Sequence, residues 1–385
     1  MSRSGDLAGL RVALVLGSST GGVGRHVRTV AAGLAARGDD VTVYGPQATA
    51  DQFDFTGGGA GFVPVEIPPR PRPRDAAAVR ALRAAWRPAP PEVIHAHGLR
   101  AGLVAGLARP GTTPLVVTWH NTVLGGGVRA RVLAVLERRV ARTAQVTLTV
   151  SADLAARAAA LGAVDVRPAV VVAPRLAPAR RAPAEVRDEL GVPAGAPLVL
   201  SVGRLHPQKA HEILIAAAAR WRTRVPPPYV AIAGTGPDYL RLAGMISELR
   251  APVTLLGHRT DVPDLLGAAD VAVVTSTWEG RQLFAQEALW AGVPLVSTAV
   301  GGSPDLLGDG AVLVPSGDVD AVDAAVCRLL DSPAHRARTV ALGHARTALW
   351  PTEADELAQL AGVYAELAGA RRHARPAGGG PGGER

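Results

Sequence analysis

The chain turns on Ser276-Thr277-Trp278-Glu279-Gly280-Arg281-Gln282-Leu283-Phe284-Ala285-Gln286-Glu287-Ala288-Leu289. An apolar run, Asp270 to Val274, precedes it and reads as a buried parallel strand. Phe284 to Ala291 reads as the helix that follows. Glu279 is therefore expected in the loop at the carboxyl end of a strand, with Glu287 about two turns inside the next helix. Open α/β sheets bind their ligands in the crevice at such strand ends. The helix amides suit an anion, and two carboxylates at fixed spacing suit the hydroxyls of a ligand. An ordinary strand-loop-helix with solvated glutamates has the same spacing, so the reading needs partners elsewhere in the chain.

Those partners are expected on neighbouring strands. Pro197 to Val202 reads as a strand ending in Gly203-Arg204-Leu205-His206-Pro207-Gln208-Lys209, with a helix running on to Trp221. Arg204 and Lys209 thus share one strand-to-helix loop, an arrangement suited to a diphosphate. Lys209 is the only lysine of the chain and Asn121 the only asparagine. Where arginine carries nearly all the positive charge, a surviving compact ammonium suits a crowded phosphate site. Tyr229 to Ala233 and Val253 to Leu256 read as further strands, followed by Gly234-Thr235-Gly236-Pro237 and by Gly257-His258-Arg259. Pro294 to Ser297 and Ala311 to Val314 complete this half, with helices over Asp320–Leu330 and Thr352–Leu367. None of its glycine clusters meets the spacing of a dinucleotide fingerprint.

The first half repeats the alternation. Leu10 to Leu16 reads as a strand, Gly17 to Gly24 as a glycine-rich turn and Arg25 to Arg37 as a helix. Val41 to Tyr44, Glu92 to His95, Pro114 to Thr118, Gln145 to Val150 and Ala169 to Ala173 read as strands, and Gln47 to Pro73 as a long loop with a short strand near Gly61 to Ile67. His97 and His120 then fall at the carboxyl ends of two strands, on one rim of one sheet. A metal held by that pair needs further ligands, and none is evident in the sequence, so no metal is expected. Pro174 to Pro183 reads as a linker. The expected domains are residues 1–178 and 179–349, a terminal helix over 350–369 that returns to the first domain, and a disordered tail over 370–385.

Composition narrows the class. The chain has 385 residues, a net charge of +8 and a single cysteine, Cys327, which excludes an intrachain disulfide and fits a reducing, cytoplasmic setting. Its alanine, arginine, glycine, proline and valine bias resembles that of a high-GC bacterial genome, and no aromatic-rich basic motif suggests nucleic acid. No apolar run is long enough for a membrane helix. Arg70, Arg72, Arg74, Arg80, Arg83 and Arg87 make a basic surface, and Val128 to Arg142 reads as an amphipathic basic helix. Its apolar side is Val132, Leu133, Leu136 and Val140. Peripheral contact with an anionic membrane and a plain solvated face both fit it.

Taken in order, these motifs resemble the retaining glycosyltransferases of family 4, with the GT-B fold of two doubly wound Rossmann-like domains facing a cleft. The match runs through Gly21-Gly22, His95-Ala96-His97-Gly98, Val117-Thr118-Trp119-His120, Gly203-Arg204-Leu205 with Lys209, and Gly234-Thr235-Gly236-Pro237. It continues through Leu256-Gly257, Asp270-Val271, Glu279-Gly280 with Glu287, Ala291 to Val296 and Val300-Gly301-Gly302. The resemblance implies transfer of a sugar from a nucleotide-diphosphate donor to an unidentified lipid, glycan or small-molecule acceptor, with retention and without a bound metal or cofactor. Arg204 and Lys209 would hold the diphosphate, Glu279 and His120 the donor sugar, and Glu287 the ribose. Gly22, Gly203, Gly257, His258 and the stretch Gly280, Arg281, Gln282, Leu283 and Phe284 would complete the donor site, with His97 and Asn121 on the acceptor side.

The chain departs from the family pattern at two positions and one stretch: Ala210 follows the lysine where glycine is usual, Gln282 stands where glycine or proline is frequent, and Val172 to Leu176 lacks the usual Pro-Asn-Gly-Val-Asp turn. Two other classes fit the fold. An epimerase would release an altered nucleotide sugar without an acceptor, and a non-catalytic binding protein would hold the donor without turnover.

Overall fold

The computed structural model describes residues 9–19, 21–68, 75–122, 127–173 and 176–374. The chain divides into two compact units, Met1–Val171 with Pro351–Arg385, and Val172–Trp350.

In the first unit the strands are β1 (Arg11–Leu16), β2 (Asp40–Gly45), β3 (Gly61–Pro64), β4 (Val93–His97), β5 (Leu115–Trp119), β6 (Val146–Thr149) and β7 (Val166–Pro168). All pair in parallel, in the order β3-β2-β1-β4-β5-β6-β7. Parallel pairing needs helical crossovers, and these cover both faces. That is why β4 and β5 are buried at every position. Strand order reverses between β1 and β4, where Leu16 stands in register with His97. The helix Glu353–Ala374 belongs to this unit and brings Leu360, Val363 and Tyr364 into its core.

In the second unit the strands are β8 (Leu198–Val202), β9 (Tyr229–Ala233), β10 (Val253–Gly257), β11 (Val271–Val274), β12 (Leu295–Thr298) and β13 (Val312–Val314). Their order is β10-β9-β8-β11-β12-β13, the doubly wound order, with its switch point between β8 and β11. Alternate residues of each strand feed opposite faces. Val199 packs with Leu214, Trp221 and Val230 on one side. Leu198 and Leu200 pack with Phe284, Leu289 and Leu295 on the other.

Several local expectations need correction. Gln47–Phe53 and Asp75–Trp86 are helices inside or beside the segment read as loop. The strand expected at Ala169 to Ala173 lies earlier, at Val166–Pro168, where Val166 pairs with Thr147. Two helices, Pro183–Leu190 and Pro333–Thr347, have no counterpart in the sequence reading. The terminal helix runs to Ala374, so residues 370–374 are helical, while 375–385 lie outside the described residues. The basic helix is Gly127–Thr143, and its Val140 packs inward against Gly102 while Val135 is exposed. Arg70, Arg72 and Arg74 and the side chains of Val128, Arg129 and Val132 lie outside the described residues.

Candidate functional site

The switch point of the second unit gathers most of the predicted residues. The loop after β8 carries Gly203, Arg204 and Lys209, and the loop after β11 carries Glu279 and Gly280. Because β8 and β11 are neighbours, both loops leave the same rim side by side. Lys209 Nζ stands 2.5 Å from Glu279 Oε1, and that oxygen also accepts from Ser276 Oγ at 2.5 Å. The Glu279 side chain is buried, so its charge needs such partners. The two loops are laced by backbone and side-chain bonds: Thr277 N donates to Gln208 O at 2.8 Å, Gln208 Nε2 to Trp278 O at 2.9 Å, and Thr275 Oγ1 to Ala210 O at 3.0 Å. Arg204 is exposed on the same loop and has no ion pair among the described residues.

Two glycine motifs act as spacers. A Cβ on Gly301, whose φ is +52°, would stand 2.1 Å from the Glu279 carbonyl oxygen, and Gly302 N donates to that oxygen at 2.8 Å. The loop after β12 therefore braces Glu279 from behind. A Cβ on Gly234 would stand 1.9 Å from Gly203 O, and one on Gly236 2.2 Å from Leu205 O. So Gly234-Thr235-Gly236 lets the β9 loop lie against the β8 loop, and its glycines serve backbone packing.

The helix Leu283–Trp290 follows, so Glu287 lies just over one turn inside it, not two. Glu287 and Gln286 are buried, and Gln286 Oε1 accepts from Ala173 N at 3.3 Å. Gln282 caps the helix without a side-chain hydrogen bond, and its Oε1 is buried with no partner among the described residues. Arg281 and Leu283 are half-buried, and Phe284 faces the core. Gly257, with φ +70°, ends β10 and its carbonyl accepts from Gly234 N at 2.7 Å; His258 beside it is exposed.

The first unit brings its own predicted residues together. His97 ends β4 and His120 follows β5. His97 Nδ1 and His120 Nε2 lie 3.1 Å apart. Burial, reinforced by the neighbouring histidines, holds both rings well below the ordinary histidine range, so both are neutral at pH 7. Asn121 is exposed beyond them, and Gly22 begins the helix Gly22–Ala36. That helix supplies a third ring, His26, which sequence reading missed because its segment looks like a plain helix start. His26, His97 and His120 form one buried cluster. His95 is a structural residue, bonded through Nδ1 to Tyr364 OH at 2.5 Å and through Nε2 to Thr118 Oγ1 at 2.7 Å.

Two parallel-sheet units of this kind define a GT-B architecture, and solved structures bear this out at the level of fold. A sucrose-phosphate synthase from Thermosynechococcus elongatus superposes with a TM-score of 0.78 at 22% identity, covering 94% of this chain and 100% of that one. The Anabaena protein HepE in complex with UDP-glucose gives 0.76 at 20% identity, covering 92% and 99%. Residues 21–175 match the model of a glycosyl transferase 4-like domain, and residues 196–332 that of glycosyl transferases group 1. A GDP-mannose-dependent alpha-(1-6)-phosphatidylinositol monomannoside mannosyltransferase of Mycolicibacterium smegmatis is 30% identical over 90% of this chain and 94% of its own length. A 2-deoxystreptamine N-acetyl-D-glucosaminyltransferase of Streptomyces fradiae is 34% identical over 68% of this chain and 67% of its own. The chain belongs to the group 1 glycosyltransferases.

Proposed function

We propose that the chain transfers a sugar from a nucleotide-diphosphate sugar to an acceptor, with retention at the anomeric carbon. The observation that carries this is the Lys209–Glu279 pair beside the switch point of β8 and β11. A lysine balanced by one carboxylate can exchange it for phosphate oxygens when a diphosphate arrives. Glu279, released from Lys209 but still held by Ser276, then turns to the hydroxyls of the donor sugar. Arg204, exposed on the same loop, adds the second cation. Negative charge grows on the diphosphate as the glycosidic bond breaks, and cations already in place stabilise it without reorganisation. This electrostatic route requires no metal and no protein nucleophile, in keeping with departure and attack on one face of the sugar.

Glu287 is assigned to the ribose, Gly257 and His258 to the base, and Gly203 and Gly280 to Phe284 to backbone contacts with the donor. In the first unit, Gly22 and His120 are assigned to the donor, and His97 and Asn121 to the acceptor. The names of the two relatives above share a ring polyol as acceptor, 2-deoxystreptamine in one and a phosphatidylinositol glycoside in the other. A cyclitol is therefore the first acceptor class to try. No helix among the described residues is long and apolar enough to cross a membrane. The cytoplasmic setting rests on the lone Cys327, and the anionic-membrane contact on Arg138 and Arg139, both exposed. Vesicle flotation unchanged in Arg138→Ala/Arg139→Ala would remove that contact.

The central test is a panel of nucleotide sugars read by thermal shift, followed by product analysis with cyclitol acceptors. One donor should raise Tm by mass action. Lys209→Ala and Arg204→Ala should each weaken it and cut turnover by about 100- to 1,000-fold. Parent-like kinetics in both variants would sink the diphosphate assignment. Release of an epimerised donor without acceptor would favour an epimerase.

A further inference from the structure

The first unit holds a cluster of three buried histidines, of which the transfer reading uses His97 and His120 and leaves His26 without a role. The rings of His26, His97 and His120 form an almost equilateral triangle, with centroids 5.3, 5.2 and 5.4 Å apart. One ring nitrogen from each lies within 4.8 Å of the others, and all three side chains are buried. They come from three elements that meet at the β1/β4 switch point: the helix after β1, the end of β4 and the end of β5.

Two further observations point to a ligand. His97 Nε2 is buried without a hydrogen-bond partner among the described residues, so no bond there fixes the ring's tautomer, and Nδ1, which faces His120 Nε2, is open to serve as the ligand atom. Glu356, 1% exposed on the terminal helix, sets Oε1 3.0 Å from His26 Nδ1, an ion-pair distance without hydrogen-bond alignment. A carboxylate behind one imidazole nitrogen is the arrangement that orients a metal-bound histidine and fixes its other nitrogen as the ligand. His95 is not part of the set, because both of its nitrogens are already engaged.

We propose that His26, His97 and His120 form a site for a divalent transition metal of the zinc class, with Glu356 as the positioning carboxylate behind His26. Three imidazoles suit zinc and disfavour magnesium or calcium, which take oxygen ligands. A tetrahedral ion with nitrogen ligands at about 2.0–2.1 Å brings them to roughly 3.4 Å from one another. The His97–His120 pair, at 3.1 Å, is already near that spacing, and His26 closes the triangle by a small ring movement. Three protein ligands leave the fourth position for water or a substrate atom. The site shares His97 and His120 with the transfer reading, since an ion there would engage their lone pairs, so metal binding is read without any sugar donor.

The test uses the tag-free full chain, stripped with a chelator, and no nucleotide sugar. Zinc is titrated in competition with a chromogenic chelator, and cobalt is added separately to read its visible spectrum. One equivalent of zinc should bind, and cobalt should give the intense bands of a tetrahedral nitrogen site. His26→Gln and His97→Gln should abolish both signals. Glu356→Gln should weaken zinc by about 10- to 100-fold, while His335→Gln, in the second unit, leaves it unchanged. No zinc bound by the parent, or equal binding in His26→Gln and His97→Gln, overturns the site. Circular dichroism establishes that each variant is folded, and if His26→Gln is not, His97→Gln and Glu356→Gln decide.

Discussion

Ala210 is held at φ 43° and ψ 44°, a left-handed conformation in which a Cβ is strained by about 1–2 kcal/mol. It follows Lys209 and begins the turn into the helix His211–Trp221. Relief of that strain outweighs the extra unfolded-state freedom of glycine, about 0.4–1 kcal/mol. Ala210→Gly should therefore leave Tm unchanged or raise it by up to a few degrees, and a clear fall in a melting curve contradicts this. The next residue sets a pH limit. Burial first, then the charge of Lys209, push His211 down to about 4 from its ordinary 6.5. The unfolded chain takes up this proton first, so stability is full above about pH 6.5 and is lost as pH falls toward 4. The steepest loss is about 1.4 kcal/mol per pH unit. Denaturant titrations of the parent and His211→Gln should diverge over this window, and parallel curves refute the assignment. At this scale Lys209 was legible because no other lysine competes with it, and Glu279 because a strand and a helix bracket it. Their pairing was not legible, since it depends on β8 and β11 being neighbours. His26 was hidden for the same reason: one histidine in an amphipathic helix looks ordinary until β1 lies beside β4.

The loop after β12 makes a prediction about elements. Gly301 and Gly317 both have positive φ, +52° and +80°, but a Cβ on Gly301 meets the Glu279 carbonyl at 2.1 Å while one on Gly317 meets nothing within 4 Å. Gly317→Ala should cost only the backbone term, about 1–2 kcal/mol. Gly301→Ala should cost more than that, roughly 3 kcal/mol, and should displace Glu279 and weaken donor binding in a folded protein. Equal melting temperatures and equal donor affinities for the two would show that the brace has no role. The strands were readable because parallel sheets bury apolar runs, as in Leu198–Leu200 and Val271–Val274. The helix Pro333–Thr347 escaped notice because only Thr339 and Gly343 along it are buried, leaving no apolar stripe to read.

For the whole molecule, the decisive segment is the helix Glu353–Ala374. Its Tyr364 is fully buried against His95, and its Glu366 accepts paired bonds of 2.8 and 2.9 Å from the Arg167 guanidinium. Gln359 adds bonds to Val170 N and Pro168 O, each 2.9 Å. A chain ended after Trp350 should keep the amide-exchange protection of β8 to β13 and lose that of β1 to β7. Unaltered protection of β4 in that truncation would show the helix to be dispensable. The two-unit pattern was visible as two runs of strand-helix alternation. The exact seams, Val171 to Val172 and Trp350 to Pro351, were not, because they follow packing and not the proline-rich composition around Pro178 and Pro183.

The same helix imposes an order of events on synthesis. A ribosome releases the first 171 residues long before it reaches Tyr364 and Glu356, so β4 waits with its His95 side uncovered. The second unit, one continuous segment, has every residue it needs as soon as Trp350 emerges. The earlier segment is thus completed after the later one, and the nascent chain carries an open histidine-lined sheet until the helix Glu353–Ala374 has emerged.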